Sequence, residues 1–306
     1  MEQLTFDQRW RDRNEIRLRP VHGADRPRMN PAEFGVEVLD GSRESEAKAF
    51  VLRHHYSGSW PGGSRCGVGL YRKRGVAPSE LVGVAVFSNG GRNASRCYFD
   101  CEQREAAELS RFVLTDDVAY NGETWFLARA LKALRAAKPE IGGIFSYSDP
   151  IEIRVPSTGK VVKPGHWGTI YSAGNATYVG TSRARTRFIS RVTGTSFNER
   201  NINKILDGEQ GIDYALKLLE RLGAPARAPG EEVDAYVHRA LQSDAFERVR
   251  HPGNFVYLFG LTHTARDLIK TRHVRLPYPK RDDATTARPV VNLTPRPAPV
   301  LALAAH

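Results

Sequence analysis

Apolar stretches typical of strands alternate along this chain with segments whose apolar residues recur at helical spacing. The pattern therefore predicts both strands and helices. Short apolar stretches of strand character lie at residues 35–39, 67–72, 81–88, 108–114, 143–147, 178–180 and 255–259. The stretch 81–88 is apolar at nearly every position, which is typical of a central strand. Helical periodicity covers 42–55 and 121–138, and we expect a short helix within 167–175. Strands and helices in this order predict a mixed α/β sheet with helices on its faces.

The rest of the chain departs from this pattern. Residues 196–250 carry three helical stretches, at 198–206, 212–222 and 231–241. We interpret 196–250 as a helical insertion between the last strands of a core that covers 32–195 and 251–281. Residues 1–31 are polar and rich in arginine, and we expect a flexible arm. Residues 282–306 are rich in alanine and proline, which predicts a disordered tail because proline interrupts regular helix.

The charge balance points to a polyanionic partner. The 306 residues contain 45 lysines and arginines against 34 aspartates and glutamates, a formal net charge of +11. Such proteins bind nucleic acids because contacts to phosphate release condensed counterions; the alternative is a soluble protein that is merely basic. Arginine can grip phosphate with two parallel hydrogen bonds. The candidate DNA-binding arginines are Arg183, Arg185, Arg187 and Arg191, and we expect the helical insertion and the arginine-rich arm to bind DNA with them.

Two features bear on location. No apolar run approaches the roughly 18 residues that span a bilayer. The first residues also lack the basic and then apolar pattern of a secretory signal. We therefore expect no membrane partner and a cytoplasmic location.

A polar cluster lies at the end of the first predicted helix. His54, His55 and Tyr56 lead into a loop of serines and glycines that begins with Ser57. Active sites are often built at such element ends. The alternative is a helix C-terminus that carries favourable cations, followed by a flexible turn.

A second cluster lies in the predicted strand 108–114. Strand alternation predicts that Glu108 and Ser110 share one face and that Arg111 points to the other. An arginine inside an apolar strand must find an anion. The anion is either a substrate or an internal carboxylate such as Asp116, Asp117 or Asp149.

Two further clusters follow in the second half of the core. Asp149 comes at the carboxyl end of a predicted strand, the edge where open α/β sheets bind ligands; it is a catalytic group, a metal ligand or a turn former before proline. His166, Tyr171 and Asn175 lie in a glycine-flanked segment that predicts a polar pocket wall or a surface for base stacking. The alternative is that the aromatic residues of this segment are core.

Absent motifs narrow the function. The chain has no phosphate-cradling Gly-x-x-x-x-Gly-Lys-Ser/Thr, no Gly-x-Gly-x-x-Gly after a strand and no Gly-x-Ser-x-Gly elbow. It also lacks the Asp/Asn-Pro-Pro-Tyr type of segment found in adenine methyltransferases. Common nucleotide hydrolases and conventional methyltransferases are therefore disfavoured.

Taken together and in this order, the clusters resemble the Mom family of bacteriophage DNA-modification proteins. The resembling segments are His-His-Tyr-Ser at 54–57, Glu-Leu-Ser-Arg-Phe at 108–112, Asn121 with the Trp-Phe-Leu of its helix, Tyr-Ser-Asp-Pro at 147–150, His-Trp-Gly-Thr-Ile-Tyr at 166–171, Asn175 with Tyr-Val-Gly at 178–180, His-Pro-Gly-Asn-Phe-Val-Tyr at 251–257 and Leu-Pro-Tyr-Pro-Lys at 276–280. The resemblance implies a fold similar to GNAT acyltransferases. It also implies a transferase in the cytoplasm of the bacterial host that converts adenine in double-stranded DNA to an N6-carbamoylmethyl derivative and so protects phage DNA from restriction.

One departure argues against acetyl-CoA as the donor. GNAT enzymes bind its pyrophosphate in a glycine-rich turn, whereas the corresponding turn here, 115–122, contains Asp116 and Asp117 and one glycine. Two carboxylates would repel a pyrophosphate. The donor of the carbamoylmethyl group and the oligomeric state cannot be read from the sequence.

The hypothesis of mechanism assigns roles to five residues. His55 or Tyr56 handles the proton of the adenine amine, and Asp149 orients that residue or accepts the proton. Arg111 holds the donor or stabilises developing negative charge, and Tyr171 positions the base or acts as an acid. This requires Tyr56, Arg111, Asp149 and Tyr171 to converge at one end of the sheet. Ser57, His166 and Asn175 are expected to contact substrate.

The resemblance also raises iron as a cofactor, with His55, Tyr56, Asp149 and Tyr171 as ligands. Spacing alone supports neither this set nor a two-histidine, one-carboxylate face. Two alternative functions stay open. One is a GNAT-like N-acyltransferase acting on a protein or a small amine, and the other is a DNA-binding protein without enzymatic activity.

Overall fold

The computed structural model describes residues 28–55, 57–119, 121–155, 160–163, 165–280 and 290–294. Contacts group them into two compact units. Unit 1 contains the described residues up to Ser148, with Gly168–Gly180 and Phe255–Pro279; unit 2 contains Asp149–Trp167, Thr181–Asn254 and the described residues from Lys280 onward. The arm and core boundaries expected from the sequence stay predictions, and most of the arm lies outside the described residues.

The described residues form thirteen strands and eight α-helices. The strands are β1 (Phe34–Leu39), β2 (Ser64–Arg74), β3 (Ala77–Ser88), β4 (Ala106–Leu114), β5 (Gly143–Ser148), β6 (Glu152–Val155), β7 (Lys160–Lys163), β8 (Thr177–Thr181), β9 (Arg185–Ser190), β10 (Ser196–Phe197), β11 (Phe246–His251), β12 (Phe255–Gly260) and β13 (Val290–Asn292). The helices are α1 (Gly41–His54), α2 (Ala94–Phe99), α3 (Gly122–Ala137), α4 (Thr169–Ala173), α5 (Glu199–Leu206), α6 (Ile212–Arg221), α7 (Val233–Gln242) and α8 (His263–Arg272). Two 3-10 turns lie at Pro31–Glu33 and Gln103–Glu105.

Unit 1 is built on a seven-stranded sheet in the order β1-β2-β3-β4-β5-β12-β8. The pairs β1–β2, β2–β3, β3–β4 and β5–β12 are antiparallel, and β4–β5 is parallel. The prediction of a mixed α/β sheet is therefore confirmed. β3 is central, as its apolar sequence predicts, and its second half is buried.

Helices cover both faces of this sheet. On one face, which we call the α1 face, Val51 of α1 packs against Val84, Val86 and Val113. Helices α2 and α8 cover the same face further along, over Phe145 and its neighbours. On the other face, which we call the α3 face, the ring of Phe126 in α3 stacks on Phe112 of β4 at 5.4 Å.

Unit 2 contains two three-stranded sheets, in the orders β10-β9-β11 and β13-β6-β7. Helices α5, α6 and α7 pack their apolar sides on Phe246 of β11, with the fully buried Tyr236 at their centre. They lie near the helical stretches expected from the sequence. That they are an insertion into a family core stays a prediction.

The tail expected to be disordered contains a strand. Val290–Asn292 pairs in parallel with Glu152–Arg154 of β6. Val291 and Leu293 alternate into an apolar cluster with Ile153, so two buried side chains stabilise the segment despite the surrounding prolines. The rest of 282–306 lies outside the described residues.

Among the described residues, no helix is long and apolar enough to cross a membrane.

Candidate active site

A β-bulge at Ser110 sets the geometry of β4. Val86 of β3 pairs with Arg111 and Phe87 pairs with Leu109, so Ser110 is an extra residue without a partner in β3. An extra residue reverses the alternation of side chains that follow it. Arg111 therefore lies on the α1 face with its partner Val86.

Glu108 lies on this face as well. It pairs with Ser88, which is two residues from Val86 and so points to the same side. The Ser88 and Ser110 hydroxyls are hydrogen-bonded to one another. The expectation that Arg111 points away from Glu108 and Ser110 is wrong, because the bulge brings all three side chains to one face.

The guanidinium of Arg111 binds the loop that follows α1. Its Nε donates to the Ser59 carbonyl at 2.8 Å and its Nη2 to the Ser59 hydroxyl at 3.0 Å. Its Nη1 donates to the carbonyl of Ser110 at 2.7 Å. These bonds join the second predicted cluster to the first.

His55 continues this line of polar groups. The Ser59 hydroxyl donates to the Ser57 hydroxyl at 3.4 Å, which in turn lies 2.8 Å from Nδ1 of His55. The backbone N–H of Ser57 also donates to Nδ1, at 3.1 Å. Two donors at Nδ1 make it an acceptor, so the proton of the neutral ring is on Nε2. Tyr56 lies outside the described residues.

β4 and β5 separate just beyond Glu108. Their parallel pairing ends at Glu108 and Phe145, although both strands continue. The Ser146 hydroxyl donates to the Leu109 carbonyl at 3.0 Å and so satisfies a backbone group that the separation leaves without a strand partner. The two strands therefore separate beyond Glu108.

The carboxylate of Glu108 lies beneath Gly90 and close to the ring of Phe145. An added Cβ at Gly90 would meet Glu108 Oε2 at 2.9 Å and Phe145 at 2.6 Å, so the chain passes close over both. No hydrogen bond or ion pair to this carboxylate occurs within the described residues. Burial raises the pKa of Glu108, and the positive charge of Arg111 opposes this only in part. The sequence analysis did not assign Glu108 a role; a carboxylate within an apolar strand was the available signal.

Tyr171 lies on the other side of the sheet. Its ring is buried on the α3 face, with centroids 5.2 Å from Tyr257 and 6.5 Å from Phe259. Tyr257 pairs with Ser146 and therefore points away from the α1 face. The structure thus places Tyr171 and Arg111 on opposite faces, and the expected convergence of these two side chains does not occur.

Asp149 belongs to unit 2, where four donors surround its carboxylate. Oδ1 accepts from His251 Nε2 at 2.9 Å and from the backbone N–H of Ile151 at 3.0 Å. Oδ2 accepts from Arg187 Nη1 at 2.5 Å and lies 3.3 Å from Lys163 Nζ. The bond to Ile151 makes Asp149 a turn former, as one of the predicted alternatives requires.

These contacts set the ionisation of the cluster. Burial alone would raise the pKa of Asp149, but the hydrogen bond from His251 and the charges of Lys163 and Arg187 outweigh burial and hold it well below its usual range. Burial lowers the pKa of Lys163 and of His251, against the attraction of Asp149. Asp149 is therefore a charged anchor for its neighbours rather than a proton acceptor.

The turn after β11 completes this cluster. The backbone N–H of Gly253 donates to His251 Nδ1 at 3.0 Å, so the ring proton is on Nε2 and points to Asp149. The side-chain oxygen of Asn254 accepts from Arg187 Nη2 at 3.2 Å. His251 and Asn254 were not predicted as site residues, although both stand in the His-Pro-Gly-Asn segment of the family resemblance; nothing in the sequence pointed to Lys163.

The remaining predicted contact residues have local roles. The backbone N–H of His166 donates to the carbonyl of Asp149 at 2.8 Å. Asn175 is exposed and adopts a left-handed conformation, φ 62°, at the end of α4, which is typical of a turn. Arg187 is bound to Asp149, and Arg191 forms an ion pair with Glu247.

Two arginines complete the predicted DNA-binding set. Arg185 is half-buried, pairs with His251 across the strands, and has a buried Nε without a hydrogen-bond partner. Arg183 is exposed.

The donor set does not fit the iron site. Both oxygens of Asp149 are engaged by cationic or N–H donors, and a metal ion would compete with Arg187 and Lys163 for them. Tyr171 is buried in an aromatic cluster. Within the described residues no group of three or more His, Cys, Asp and Glu side chains could hold a metal ion. No step below is routed through iron.

The acidic turn before α3 is partly neutralised. Asp117 forms an ion pair with Arg72 at 2.7 Å, which offsets one of the two charges expected to repel a pyrophosphate. The exclusion of acetyl-CoA stays a prediction.

Comparisons with known proteins find one curated relative and several distant solved structures. The methylcarbamoylase Mom of Escherichia phage Mu is 25% identical over 235 residues, which cover 76% of this chain and 80% of that protein. Among solved structures, malonyl-CoA decarboxylase from Agrobacterium vitis shows 11% identity and a TM-score of 0.32, over 79% of this chain and 63% of that one. A tandem GNAT protein of the clavulanic acid biosynthesis pathway shows 11% identity and a TM-score of 0.30, over 64% and 53%.

This chain therefore spans less than two thirds of either solved structure, and likeness at this level carries no argument. The family assignment rests on the sequence match. Residues 38–280 match the sequence model of the Mom protein family, and this protein accordingly belongs to the Mom protein family.

Proposed function

We propose that this protein is a transferase that converts adenine in double-stranded DNA to its N6-carbamoylmethyl derivative, which hides the base from restriction enzymes. Membership of the Mom family and the identity to the phage Mu methylcarbamoylase support DNA modification. The net charge of +11 supports a polyanionic substrate.

One observation carries the chemical part of the proposal. A continuous line of hydrogen bonds from His55 to Arg111 reaches the point where β4 and β5 separate, beside the unpaired carboxylate of Glu108. A proton donor, a fixed cation and a proton acceptor on one sheet face are the groups that alkylation of a weak nucleophile requires.

The reaction needs a proton acceptor because the lone pair of the adenine amine is delocalised into the ring. The base leaves the duplex stack to reach the point where β4 and β5 separate, as in other enzymes that modify bases. The amine nitrogen attacks the methylene carbon of the donor, a new C–N bond forms, and the bond to the leaving group breaks with its electron pair. The amine proton passes to Glu108, whose raised pKa brings it nearer to neutrality.

His55 and Arg111 act on the leaving group of the donor. The proton on Nε2 makes His55 a donor to the leaving group rather than the base, since its Nδ1 is occupied by Ser57. Arg111 is fixed by three hydrogen bonds and stabilises negative charge that develops there. Asp149 anchors its neighbours in unit 2 and takes no part in this scheme, and Tyr171 packs against Tyr257.

Nucleoside mass spectrometry tests the proposal. DNA from bacteria that express the full chain should contain deoxyadenosine in which one amine hydrogen is replaced by a carbamoylmethyl group. Arg111→Ala should abolish the product, and Arg96→Ala, an exposed arginine of α2, should preserve it. DNA binding without any modified adenine would instead identify a DNA-binding protein without enzymatic activity, and acylation of other amines would identify an acyltransferase.

A further inference from the structure

The β10-β9-β11 sheet of unit 2 has two different faces. Val249 of β11 pairs with Arg187 of β9, and both point to the side of the Asp149 cluster. The alternate residues point to the helices, and Phe188 and Phe246 are covered by α5, α6 and α7.

Two arginines of β11 lie on the same sheet face as Phe188 and Phe246, but the helices do not cover them. Arg248 pairs with Phe188 and Arg250 with Thr186, and both side chains are exposed. They lie two residues apart on an edge strand, so roughly 7 Å separates their origins. Within the described residues neither has an ion pair or hydrogen bond through its guanidinium.

This distinguishes them from their neighbours. Arg187 is held by Asp149, and Arg191 by Glu247, so these two cations are already neutralised inside unit 2. A contact of either with an external anion would have to replace an existing ion pair, and for Arg187 the partner is largely buried, which makes the exchange costly. Arg248 and Arg250 would give up only bound water when they contact an external anion.

The helices α5, α6 and α7 carry no excess of positive charge that would attract a polyanion. Residues 196–243 contain six basic and eight acidic side chains. The segment 181–195, which includes β9, contains four arginines and no acidic side chain, and its Arg183 is exposed. Positive charge in unit 2 is therefore concentrated at the end of the sheet rather than on the helices.

We propose that Arg248 and Arg250, with Arg183, bind the backbone phosphates of duplex DNA. The inference rests on the proposed function and names the surface that carries it. Each guanidinium can donate two parallel hydrogen bonds to one phosphate. Arg248 and Arg250, two residues apart on one strand, can therefore contact successive phosphates of the DNA backbone. The surface contacts phosphate, so it positions DNA without reading its sequence.

An edge strand also gives a simpler reason for exposed charge. Charged side chains on an edge prevent pairing with another chain. On that reading, removal of Arg248 and Arg250 promotes self-association and leaves DNA binding unchanged.

The test measures the affinity of the full chain for a duplex of defined length as a function of salt. The variants are Arg248→Ala/Arg250→Ala and, as a control of equal charge, Arg200→Ala/Lys217→Ala on the exposed sides of α5 and α6. Each lost phosphate contact lowers the slope of log K against log salt by about 0.9. In Arg248→Ala/Arg250→Ala the magnitude of the slope should be smaller by about 1.8, and the affinity at 0.1 M salt should be roughly ten to a hundred times weaker. The control variant should retain most of the wild-type slope and affinity.

Several outcomes separate the possibilities. A wild-type slope in Arg248→Ala/Arg250→Ala overturns the proposal, and self-association of that variant by light scattering would then assign the edge-strand role. Equal losses in both variants also overturn it, because net charge alone would explain them. If wild-type protein binds no DNA, the proposed function fails as well; if it binds DNA with an unchanged slope in the variant, only this surface fails. Arg248→Lys/Arg250→Lys should retain the slope and rules out a folding defect.

Discussion

Glu108 and Arg111 stand on one face of the unit 1 sheet although three positions separate them, because Ser110 is an extra residue in the pairing with β3. In a regular strand they would point to opposite faces. Their proximity has an electrostatic consequence, since Arg111 opposes the rise in the pKa of Glu108 that burial causes. The bulge therefore brings the carboxylate of Glu108 and the cation of Arg111 to the same face, whereas a regular strand would place them on opposite faces.

We expect Glu108→Gln to abolish modification without destabilising the protein. A general base contributes roughly a hundredfold or more to a rate, so modified adenine should fall by at least that factor. Because the raised pKa shows that burial disfavours the charged form, a neutral side chain of the same shape should leave the melting temperature equal or higher. Glu44→Gln, on the exposed side of α1, is the control.

Nucleoside mass spectrometry and thermal unfolding together decide this prediction. Full modification by Glu108→Gln would remove the residue from the mechanism. Loss of modification together with a lowered melting temperature would assign a structural role instead. Glu108→Asp keeps the charge but shortens the side chain by one methylene, and should retain part of the activity.

Asp149→Ala should destabilise unit 2 by about 3–5 kcal/mol, since it leaves Arg187 and Lys163 partly buried without their counter-charge. Asp149→Asn keeps an acceptor and should cost less. Urea unfolding measures both values. Glu209→Ala, at an exposed acidic residue of the same unit, should have a small effect; an equally small effect of Asp149→Ala would contradict the anchoring role.

The elements with strong periodicity could be predicted from the sequence. The helix expected at 42–55 is found at Gly41–His54, and the helix expected at 121–138 at Gly122–Ala137. Their apolar sides repeat at helical spacing and meet a broad sheet face, so local pattern and packing agree.

The site could be predicted only in part, because it depends on partners from distant strands. A bulge such as that at Ser110 is defined by the register of β3, which the sequence of β4 does not contain. The partners of Asp149 come from Lys163, Arg187 and His251, and no periodicity relates these positions. The sequence analysis expected no strand at β9 and assigned its arginines to DNA binding, whereas the structure pairs Arg187 with Asp149.

The stability of unit 2 should fall as the pH decreases below about 6.5. Burial lowers the pKa of His251 in the folded protein, while the unfolded chain titrates near 6.5. Between these values the unfolded state binds the extra proton, so stability drops by up to about 1.4 kcal/mol per pH unit. The low pKa of Asp149 acts in the same direction, but only below about pH 4.

Hydrogen–deuterium exchange of β9 and β11 measures this pH effect locally. After correction for the intrinsic rate, wild-type protection should decrease from pH 7.5 to 5.5. His251→Gln can still donate to Asp149 but does not titrate, so its protection should not change over this range. A decrease of the same size in His251→Gln would assign the pH dependence to another group.

Gly253 is required by the turn that orients His251. Its φ is +112°, and an added Cβ would lie 1.9 Å from the carbonyl oxygen of Ser182, so alanine here must displace backbone. Gly230 is the matched control, because its φ is +74° but nothing lies within 4 Å of its Cβ position. Alanine at Gly230 costs about 1–2 kcal/mol for the left-handed conformation alone, and we expect Gly253→Ala to lower the free energy of unfolding by at least about 2 kcal/mol more. Equal losses in the two variants would show that the turn can open without disturbing the bond from Gly253 to His251.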